Sequence, residues 1–137
     1  MRDVYIIGIG QVRVKEHWNK TLRQLAVDST LTAMDDAEID DADMLYVGNM
    51  LGGGIAGQEH LGALIADEAG LRGIEAAKVE AACGSGAAAV RAGYLAIASG
   101  LANVVIVTGV EKMTDVPNGA ATKELMLAAD GDYEGVH

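Results

Sequence analysis

The chain has 137 residues, half of them apolar, and a formal net charge of −10, which predicts one compact domain with its own core. Its 10 basic residues are scattered among 20 acidic ones, which argues against a nucleic-acid or anionic membrane surface, because both need clustered Lys and Arg. One Cys and three scattered His residues exclude an internal disulfide and predict no metal site.

The start of the chain and its apolar runs bear on the compartment. Met1 to Asp3 leads straight into an apolar run, without the basic start, long apolar stretch and cleavage site of a signal peptide. The longest apolar runs, such as residues 104–107, are too short to span a bilayer. We therefore expect a cytoplasmic protein.

The first predicted elements are a strand, a helix and a second strand. Residues 4–9 form a nearly continuous β-branched run that ends at glycine, which is typical of a strand buried on both faces. Thr21 and Gln24 form a capping-box pair, which predicts a helix over residues 21–37. The apolar run at residues 44–47 predicts the second strand.

The pattern continues with two more helices and two more strands. Residues 52–57 are predicted as a glycine-rich loop, and the helix after it ends at a glycine cap, Gly70, followed by Leu71. A short strand is predicted at residues 78–82. The helix from Gly84 to Gly100 is apolar nearly all round, which predicts burial between layers.

The fourth strand is predicted at residues 103–108. The alternation of strands and helices predicts an α/β fold with a mainly parallel sheet. After Met113 the alternation stops, and a short helix is predicted at residues 121–129. We expect residues 1–115 to form an α/β domain that is itself incomplete, and residues 116–137 to begin a loop region that is cut off.

Cys83 stands where a predicted strand gives way to a helix. Unpaired backbone N–H groups and the helix dipole at a helix N-terminus stabilise a thiolate. Gly84 and Gly86 let the backbone turn sharply and leave room for a substrate beside the sulfur. The segment alone leaves two interpretations open, a nucleophile or a small buried cysteine in an alanine-rich packing zone.

Three other motifs have weaker claims to a function. Gly8 and Gly10 after a strand would suit a dinucleotide loop, but Arg13 stands where the third glycine belongs. The glycines of residues 52–57 could cradle an anion, although a flexible connection is the favoured interpretation. His60 beside Glu59 suggests an acid–base pair, but adjacent helical residues point in different directions, which favours a surface histidine.

Residues 79–90, Val-Glu-Ala-Ala-Cys-Gly-Ser-Gly-Ala-Ala-Ala-Val, resemble the nucleophile segment of thiolases. Further segments are similar to the family in the same order and spacing from about residue 4 to about residue 115. These segments are Val47-Gly48-Asn49-Met50, Gly57-Gln58, Ala69-Gly70-Leu71, Ser99-Gly100 and Thr108-Gly109-Val110-Glu111-Lys112-Met113-Thr114. The details resemble the archaeal and sterol-carrier type, and the context favours Cys83 as a nucleophile.

The resemblance implies a thiolase-like layered α/β/α fold, present as its N-terminal half, and an acyltransferase activity. Cys83 would take an acyl group from an acyl-CoA as a thioester, in the formation or cleavage of acetoacetyl-CoA or another 3-ketoacyl-CoA. Its backbone N–H would help to hold the oxyanion, with Gly84, Ser85 and Gly86 supporting the turn. Coenzyme A thioester is then the substrate, and no cofactor is bound covalently. Met113 belongs either to a loop that reaches a neighbouring subunit or to ordinary packing.

The resemblance also implies that other groups complete the site. In thiolases a histidine and a second cysteine come from the C-terminal half, whereas Cys83 is the only cysteine here. His17, His60 and His137 lie outside segments that resemble the family's histidine motifs, so we expect the chain alone to be inactive. The family implies a homo-oligomer serving isoprenoid synthesis.

Two alternatives stay open. One is another condensing enzyme of the same fold, a ketoacyl synthase or a hydroxymethylglutaryl-CoA synthase, which also places a cysteine at this junction. The other is a non-catalytic split or truncated half that acts as an interaction module by pairing with a complementary C-terminal half. The resemblance also implies that the apolar helix from Gly84 to Gly100 lacks the partner helix of the second half, and an exposed face of that kind predicts association or instability.

Overall fold

The computed structural model describes residues 1–134 and contains a parallel sheet with helices on both faces. The helices are α1 (Leu22–Ala37), α2 (Gly52–Ala56), α3 (Leu61–Glu68), α4 (Ser85–Ser99) and α5 (Asn118–Leu125), and the strands are β1 (Met44–Gly48), β2 (Glu75–Val79) and β3 (Val105–Gly109). Short 3₁₀ turns lie at Ala82–Gly84 and Met126–Ala128. None of the helices in the described part of the chain is both long and apolar enough to span a membrane.

The sheet has three strands in the order β2-β1-β3, all parallel. Because side chains alternate along a strand, its two faces carry different cores. Leu45 and Ile106 belong to the larger core, which also contains residues of α1 and α3, whereas Met44 and Val105 belong to a smaller core with Ala96 of α4. This arrangement confirms the predicted layered α/β fold with a parallel sheet.

The ends of α1 and α3 carry the local signals that predicted them. The Thr21 hydroxyl accepts a hydrogen bond from the Gln24 N–H at 3.2 Å, and the Gln24 side chain accepts one from the Thr21 N–H at 2.9 Å. Helix α3 is followed by Gly70 with a φ of 81°, and the Leu71 N–H donates to the Ala66 carbonyl at 2.9 Å. The predicted capping box and glycine cap are therefore confirmed.

The prediction of a buried strand over residues 4–9 is wrong. The segment forms no ladder with the described strands, and Ile9 is 73% exposed. It rests on α1 through its glycines, since a Cβ added at Gly8 would lie 2.5 Å from the Ala33 carbonyl oxygen. The Ile9 N–H donates to the Asp36 carboxylate at 2.8 Å. Gly8 and Gly10 thus pack against α1 and not at an edge of the sheet, and the segment does not have the strand and helix context of a dinucleotide loop.

Helix α4 is buried on one face only. Ala89 and Gly93 are buried, and a Cβ added at Gly93 would lie 2.8 Å from the Val107 side chain of β3. On the other side Val90 is 57% exposed and Tyr94 is 47% exposed. The predicted burial of α4 between two layers is therefore confirmed on the side that faces the sheet. The opposite side of α4 is exposed in this chain.

Several predicted boundaries differ from the structure, among them those of the fourth strand, which was predicted at residues 103–108 and is Val105–Gly109. Residues 52–57, predicted as a loop, contain the short helix α2. The strand predicted at residues 78–82 is Glu75–Val79, because its register is fixed by pairing with β1, and residues 80–82 already belong to the turn that leads into α4. The helix predicted at residues 121–129 begins earlier, as α5. The division at residue 115 stays a prediction.

Candidate active site

Cys83 lies in the 3₁₀ turn directly before α4, at the helix N-terminus where the sequence placed it. Its thiol is exposed, so it is not a buried packing cysteine. The preceding residue, Ala82, has a φ of 48°, in the left-handed region that is unfavourable for a residue with a Cβ. Backbone strain of this kind is common where a structure holds a functional group in a fixed position.

Ser85 holds this turn together. Its hydroxyl accepts a hydrogen bond from the Ala81 N–H at 2.9 Å and donates one to the Ala82 carbonyl at 2.7 Å. The Gly84 N–H donates to the Ala81 carbonyl at 2.9 Å, and the Glu80 carboxylate accepts from the Ala82 N–H. Ser85 and Gly84 thus both stabilise the turn. The Ser85 hydroxyl both donates and accepts a hydrogen bond within it.

Gly48, the last residue of β1, brings the sheet against the start of α4. A Cβ added there would lie 2.8 Å from the backbone nitrogen of Gly86 and 2.8 Å from the carbonyl oxygen of Ser85, closer than real Cβ atoms approach. Only glycine fits without movement of the helix. Cys83 is therefore held near the carboxyl ends of parallel strands, the usual position of a binding site in an α/β sheet.

Asn49 joins the chain after β1 to the chain after β3. Its side chain is fully buried, its amide nitrogen donates to the Val110 carbonyl at 2.8 Å, and its amide oxygen accepts from the Gly52 N–H at 2.9 Å. A buried amide is stable in this position because its donor and its acceptor both have partners. Asn49 therefore fixes the segment after β3 relative to the start of α2.

Glu111 makes a second connection between the same segments. Its carboxylate accepts hydrogen bonds from the Met50 N–H at 2.5 Å and from the Leu51 N–H at 3.2 Å. The Gly52 N–H is bonded to Asn49. Side chains of the protein thus occupy the N–H groups of Met50, Leu51 and Gly52, so these three groups are not free to hold an anion.

An open pocket of about 360 Å³ lies beside Cys83. The structure brings Cys83, Ser85, Gly86 and Met113 together in its lining, and Gly84 lies in the adjoining turn. The other lining residues are Gly48, Met50, Leu51, Ala82, Gly109, Val110, Glu111 and Leu125. The lining is mainly apolar, and it includes no histidine from residues 1–134.

The two described histidines, His17 and His60, lie outside this pocket. Glu59 is 2.5 Å from the Lys78 ammonium, and His60 is an exposed residue with a φ of 60° before α3, so the two do not form the acid–base pair that their adjacency suggested. The His17 ring bonds to the Arg13 carbonyl at 2.8 Å. His137 lies outside the described residues. Within residues 1–134 no three His, Cys, Asp or Glu side chains cluster as metal ligands.

The pattern of a family described as "Thiolase, N-terminal domain" matches residues 5–133. The chain belongs to this thiolase family. This match confirms the resemblance to thiolases that was seen in the segment around Cys83 and in the other segments.

Two archaeal proteins are similar to the thiolase chain over nearly all of its length. The acetyl-CoA acetyltransferase of Methanocaldococcus jannaschii is 48% identical, with 99% of this chain and 35% of that protein covered. The acetyl-CoA acetyltransferase of Methanothermobacter thermautotrophicus is 45% identical, with 98% of this chain and 35% of that protein covered. The thiolase chain thus spans about a third of the length of these relatives.

Solved structures show the same fold at lower identity. The 3-oxoacyl-[acyl-carrier-protein] synthase III of Aquifex aeolicus matches with a TM-score of 0.64 at 22% identity, covering 71% of the thiolase chain and 32% of that protein. The corresponding enzyme of Pseudomonas aeruginosa matches with a TM-score of 0.62 at 19% identity, covering 77% and 33%. At these identities the likeness concerns the fold alone.

Sequence reasoning gave no structural role to Asn49, Glu111, Gly109 or Leu125. Asn49, Gly109 and Glu111 do lie in segments that resemble thiolases, which was the available signal. Their contacts could not be derived from it, because 61 residues separate Asn49 from Val110 and Glu111 from Met50. The resemblance marked the segments of the thiolase chain, and the structure shows what they contact.

Proposed function

We propose that the chain is the N-terminal part of an acetyl-CoA acetyltransferase in which Cys83 accepts the acyl group. One observation carries the proposal: the only cysteine is exposed at a strained turn before α4 and opens into a mainly apolar pocket at the ends of the strands. Archaeal relatives at 48% and 45% identity carry this name, which supports the choice of acetyl-CoA.

The proposed step is a thioester exchange. The Cys83 sulfur attacks the carbonyl carbon of an acyl-CoA, a bond forms between that carbon and the Cys83 sulfur, and the bond from the carbon to the CoA sulfur breaks. The departing CoA sulfur takes up the proton released by the Cys83 thiol. The N-terminal dipole of α4 stabilises negative charge on the sulfur, and the Cys83 N–H supports the oxyanion, with Gly84, Ser85 and Gly86 positioning it.

The acyl group then passes from Cys83 to the α-carbon of a second acetyl-CoA, which gives acetoacetyl-CoA. The reverse reaction cleaves a 3-ketoacyl-CoA with CoA as the acceptor. Both directions need a base for the proton at sulfur and a group that handles the proton at the α-carbon. We assign these roles to a histidine and a second cysteine from the part of the protein that corresponds to the remaining two thirds of the archaeal relatives. The chain alone is then inactive.

The proposal extends to the parent enzyme. We propose a cytoplasmic homo-oligomer that uses coenzyme A thioesters, binds no cofactor covalently and supplies isoprenoid synthesis, with Met113 directed toward a neighbouring subunit. These properties rest on the resemblance to archaeal thiolases. The exposed face of α4 is proposed as the surface on which the complementary half of the protein packs.

A second candidate is another condensing enzyme of this fold, supported by the backbone match to the 3-oxoacyl-[acyl-carrier-protein] synthase III structures. Val79 and Glu80 ahead of the cysteine and the segment from Glu111 to Met113 favour a thiolase. A third candidate is a non-catalytic half that acts by binding its complement. Like the main proposal, it uses the exposed face of α4 to bind the complementary half. It differs because it predicts no thiolysis after the two halves have paired.

The test supplies the missing part separately. The chain is mixed with the portion of the Methanocaldococcus jannaschii relative that lies beyond the matched third, and loss of acetoacetyl-CoA in the presence of CoA is followed by absorbance. Thiolysis is expected from the mixture, not from either part alone and not with Cys83→Ser. Thiolysis by the chain alone would contradict the assignment of the base to the other part. Condensation with a malonyl thioester and no thiolysis would favour the second candidate.

A further inference from the structure

Strands β1 and β3 end in a pair of glycines at the pocket beside Cys83. Gly48 pairs with Gly109 in the parallel register, and both line the pocket. Alternation along β3 puts Gly109 on the same face as Val107, whose side chain lies against Gly93 of α4. Gly109 therefore faces the layer that contains α4 and the sulfur.

The two glycines have different reasons to be glycine. At Gly48 an added Cβ would lie 2.8 Å from the Gly86 nitrogen, so close packing requires the missing side chain. At Gly109 an added Cβ would meet only the Gly48 carbonyl oxygen, at 3.8 Å, which is an ordinary contact. Gly109 is also not among the glycines with a positive φ. Neither packing nor backbone conformation requires glycine at position 109.

Gly86 is a second pocket residue at which neither packing nor backbone conformation requires glycine. It lies in the first turn of α4, where alanine would favour the helix more than glycine does. A Cβ added at Gly86 would have no described atom within 4 Å, apart from its own chain neighbours and helix backbone, and Gly86 lines the same pocket. Gly86 and Gly109 thus line the pocket at positions where the space for a side chain is empty.

The walls of this space suit an alkyl chain. Leu51, Met113 and Leu125 are the larger apolar residues of the lining. The carboxylate of Glu111, which also lines the pocket, already accepts hydrogen bonds from backbone N–H groups. A volume of 360 Å³ is well above that of an acetyl methyl group, which is comparable to the about 30 Å³ of one water molecule in the liquid.

We infer that Gly109, together with Gly86, is a specificity-determining residue for the acyl group carried by Cys83. The space left by the two missing side chains holds the alkyl part of a straight-chain acyl group and admits chains longer than acetyl. The inference rests on the proposed function, since it takes Cys83 as the acyl acceptor. It adds the residues that set the size of the acyl group.

The test measures the size of this space by alkylation of Cys83, which needs no catalytic turnover. The probes are iodoacetamide and its N-butyl and N-hexyl derivatives, and the readout is the ratio of the N-hexyl rate to the iodoacetamide rate. Gly109→Val is expected to lower this ratio about tenfold, the order of discrimination that a filled apolar pocket gives. Gly109→Ala and Gly86→Ala are expected to lower it less, with melting temperatures equal to or above that of the parent chain.

Gly119→Ala is the matched control. Gly119 also has no described atom near an added Cβ and lies in a helix, but it does not line the pocket. This variant should keep the parent ratio. If Gly109→Val unfolds, the two alanine variants carry the test. An unchanged ratio in folded Gly109→Ala and Gly86→Ala chains would overturn the inference.

A parallel series with acetyl-CoA, butyryl-CoA and hexanoyl-CoA, in the presence of the complementary part of the archaeal relative, separates this inference from the proposed function. Acylation of Cys83 by any of them supports the function, and a shift toward acetyl-CoA in Gly109→Val supports the inference. A lower alkylation ratio without acylation by any thioester would leave the pocket assignment standing and remove the proposed function. Acylation with the same chain-length preference in all variants would support the proposed function and overturn the inference about Gly109 and Gly86.

Discussion

At the scale of single residues, the position of the sulfur depends on Ser85. The side chain is 4% exposed and bonds to both Ala81 and Ala82, the two residues ahead of Cys83. Those bonds hold Ala82 in its left-handed conformation, which an alanine does not adopt readily. Loss of the hydroxyl would free the turn and disperse the orientations of the thiol.

We predict that Ser85→Ala lowers the free energy of unfolding by about 1–3 kcal/mol, because buried polar groups of the turn lose their partner. It should also slow alkylation of Cys83 by iodoacetamide. Urea denaturation measures the first effect and intact mass against time the second. The control is Ser99→Ala at the other end of α4, where a single hydroxyl bond to the Ala96 carbonyl at 3.1 Å is removed. If Ser85→Ala kept the parent free energy of unfolding and the parent rate of Cys83 alkylation, Ser85 would not be the residue that positions the sulfur.

The site was predictable at this scale only where the signal is local. Cys83 was placed correctly because the change from a strand pattern to a helix pattern is visible in neighbouring residues. The positive φ of Ala82 leaves no such mark, because alanine has no preference for that conformation. The bonds of Asn49 and Glu111 join residues 61 positions apart, and single-sequence periodicity does not carry that information.

At the scale of elements, Asp43 ties the start of β1 to the start of β3. Its carboxylate accepts hydrogen bonds from the N–H groups of Asn103, at 2.7 Å, and Val104, at 3.0 Å, while its own N–H donates to the Val104 carbonyl at 2.9 Å. The two bonds from backbone N–H groups hold the pKa of Asp43 below its ordinary value of 3.8. The carboxylate thus favours the folded chain when it is ionised.

This depressed pKa gives a pH dependence of stability with a definite sign. Asp43 protonates more readily in the unfolded chain, so its contribution is fully present above the unfolded value of 3.8 and is lost as the pH falls through the lower folded value. Asp43→Asn should lower the free energy of unfolding above pH 3.8 and have less effect below it. Urea denaturation across this range measures the difference. Asp40→Asn, an exposed aspartate nearby, controls for the change in charge, and parallel curves for Asp43→Asn and the parent chain would count against the account.

Elements with local end signals were predicted well, and those that depend on distant partners were not. Helix α1 has its capping box and α3 its glycine cap within a few residues of their ends. Helix α2 was predicted as a loop because its N-cap residue, Leu51, provides no side-chain cap, and the Leu51 N–H is bonded to Glu111, which is 60 residues away. The run at residues 4–9 has the composition of a strand, but a strand also needs a neighbour for its backbone groups, which composition does not reveal.

At the scale of the whole molecule, exposed apolar side chains are the feature that bears most on stability. Val90, Tyr94 and Leu95 of α4 are exposed, and so are Tyr5 and Ile6 of the N-terminal segment. Soluble monomers seldom leave large apolar patches open, because contact with another apolar surface removes water from them. The exposed face of α4 is consistent with a chain that packs against another part of the protein.

We predict that the purified chain self-associates as its concentration rises and that Leu95→Lys with Val90→Lys weakens this association. Both side chains are exposed, so the melting temperature should change little. Sedimentation velocity at several concentrations measures the association. Ala120→Lys, at an exposed position of α5, is the control for added charge. Equal association of the double variant and the control would show that the α4 face is not the contact.

Acylation of Cys83 is tested most directly by peptide mass mapping after incubation with acetyl-CoA and the complementary part of the archaeal relative. We expect an acetyl group on the peptide that contains Cys83, which excess CoA removes and which is absent in Cys83→Ser. Acetyl groups found only on lysines, with Cys83 unmodified in the paired and folded chain, would contradict it.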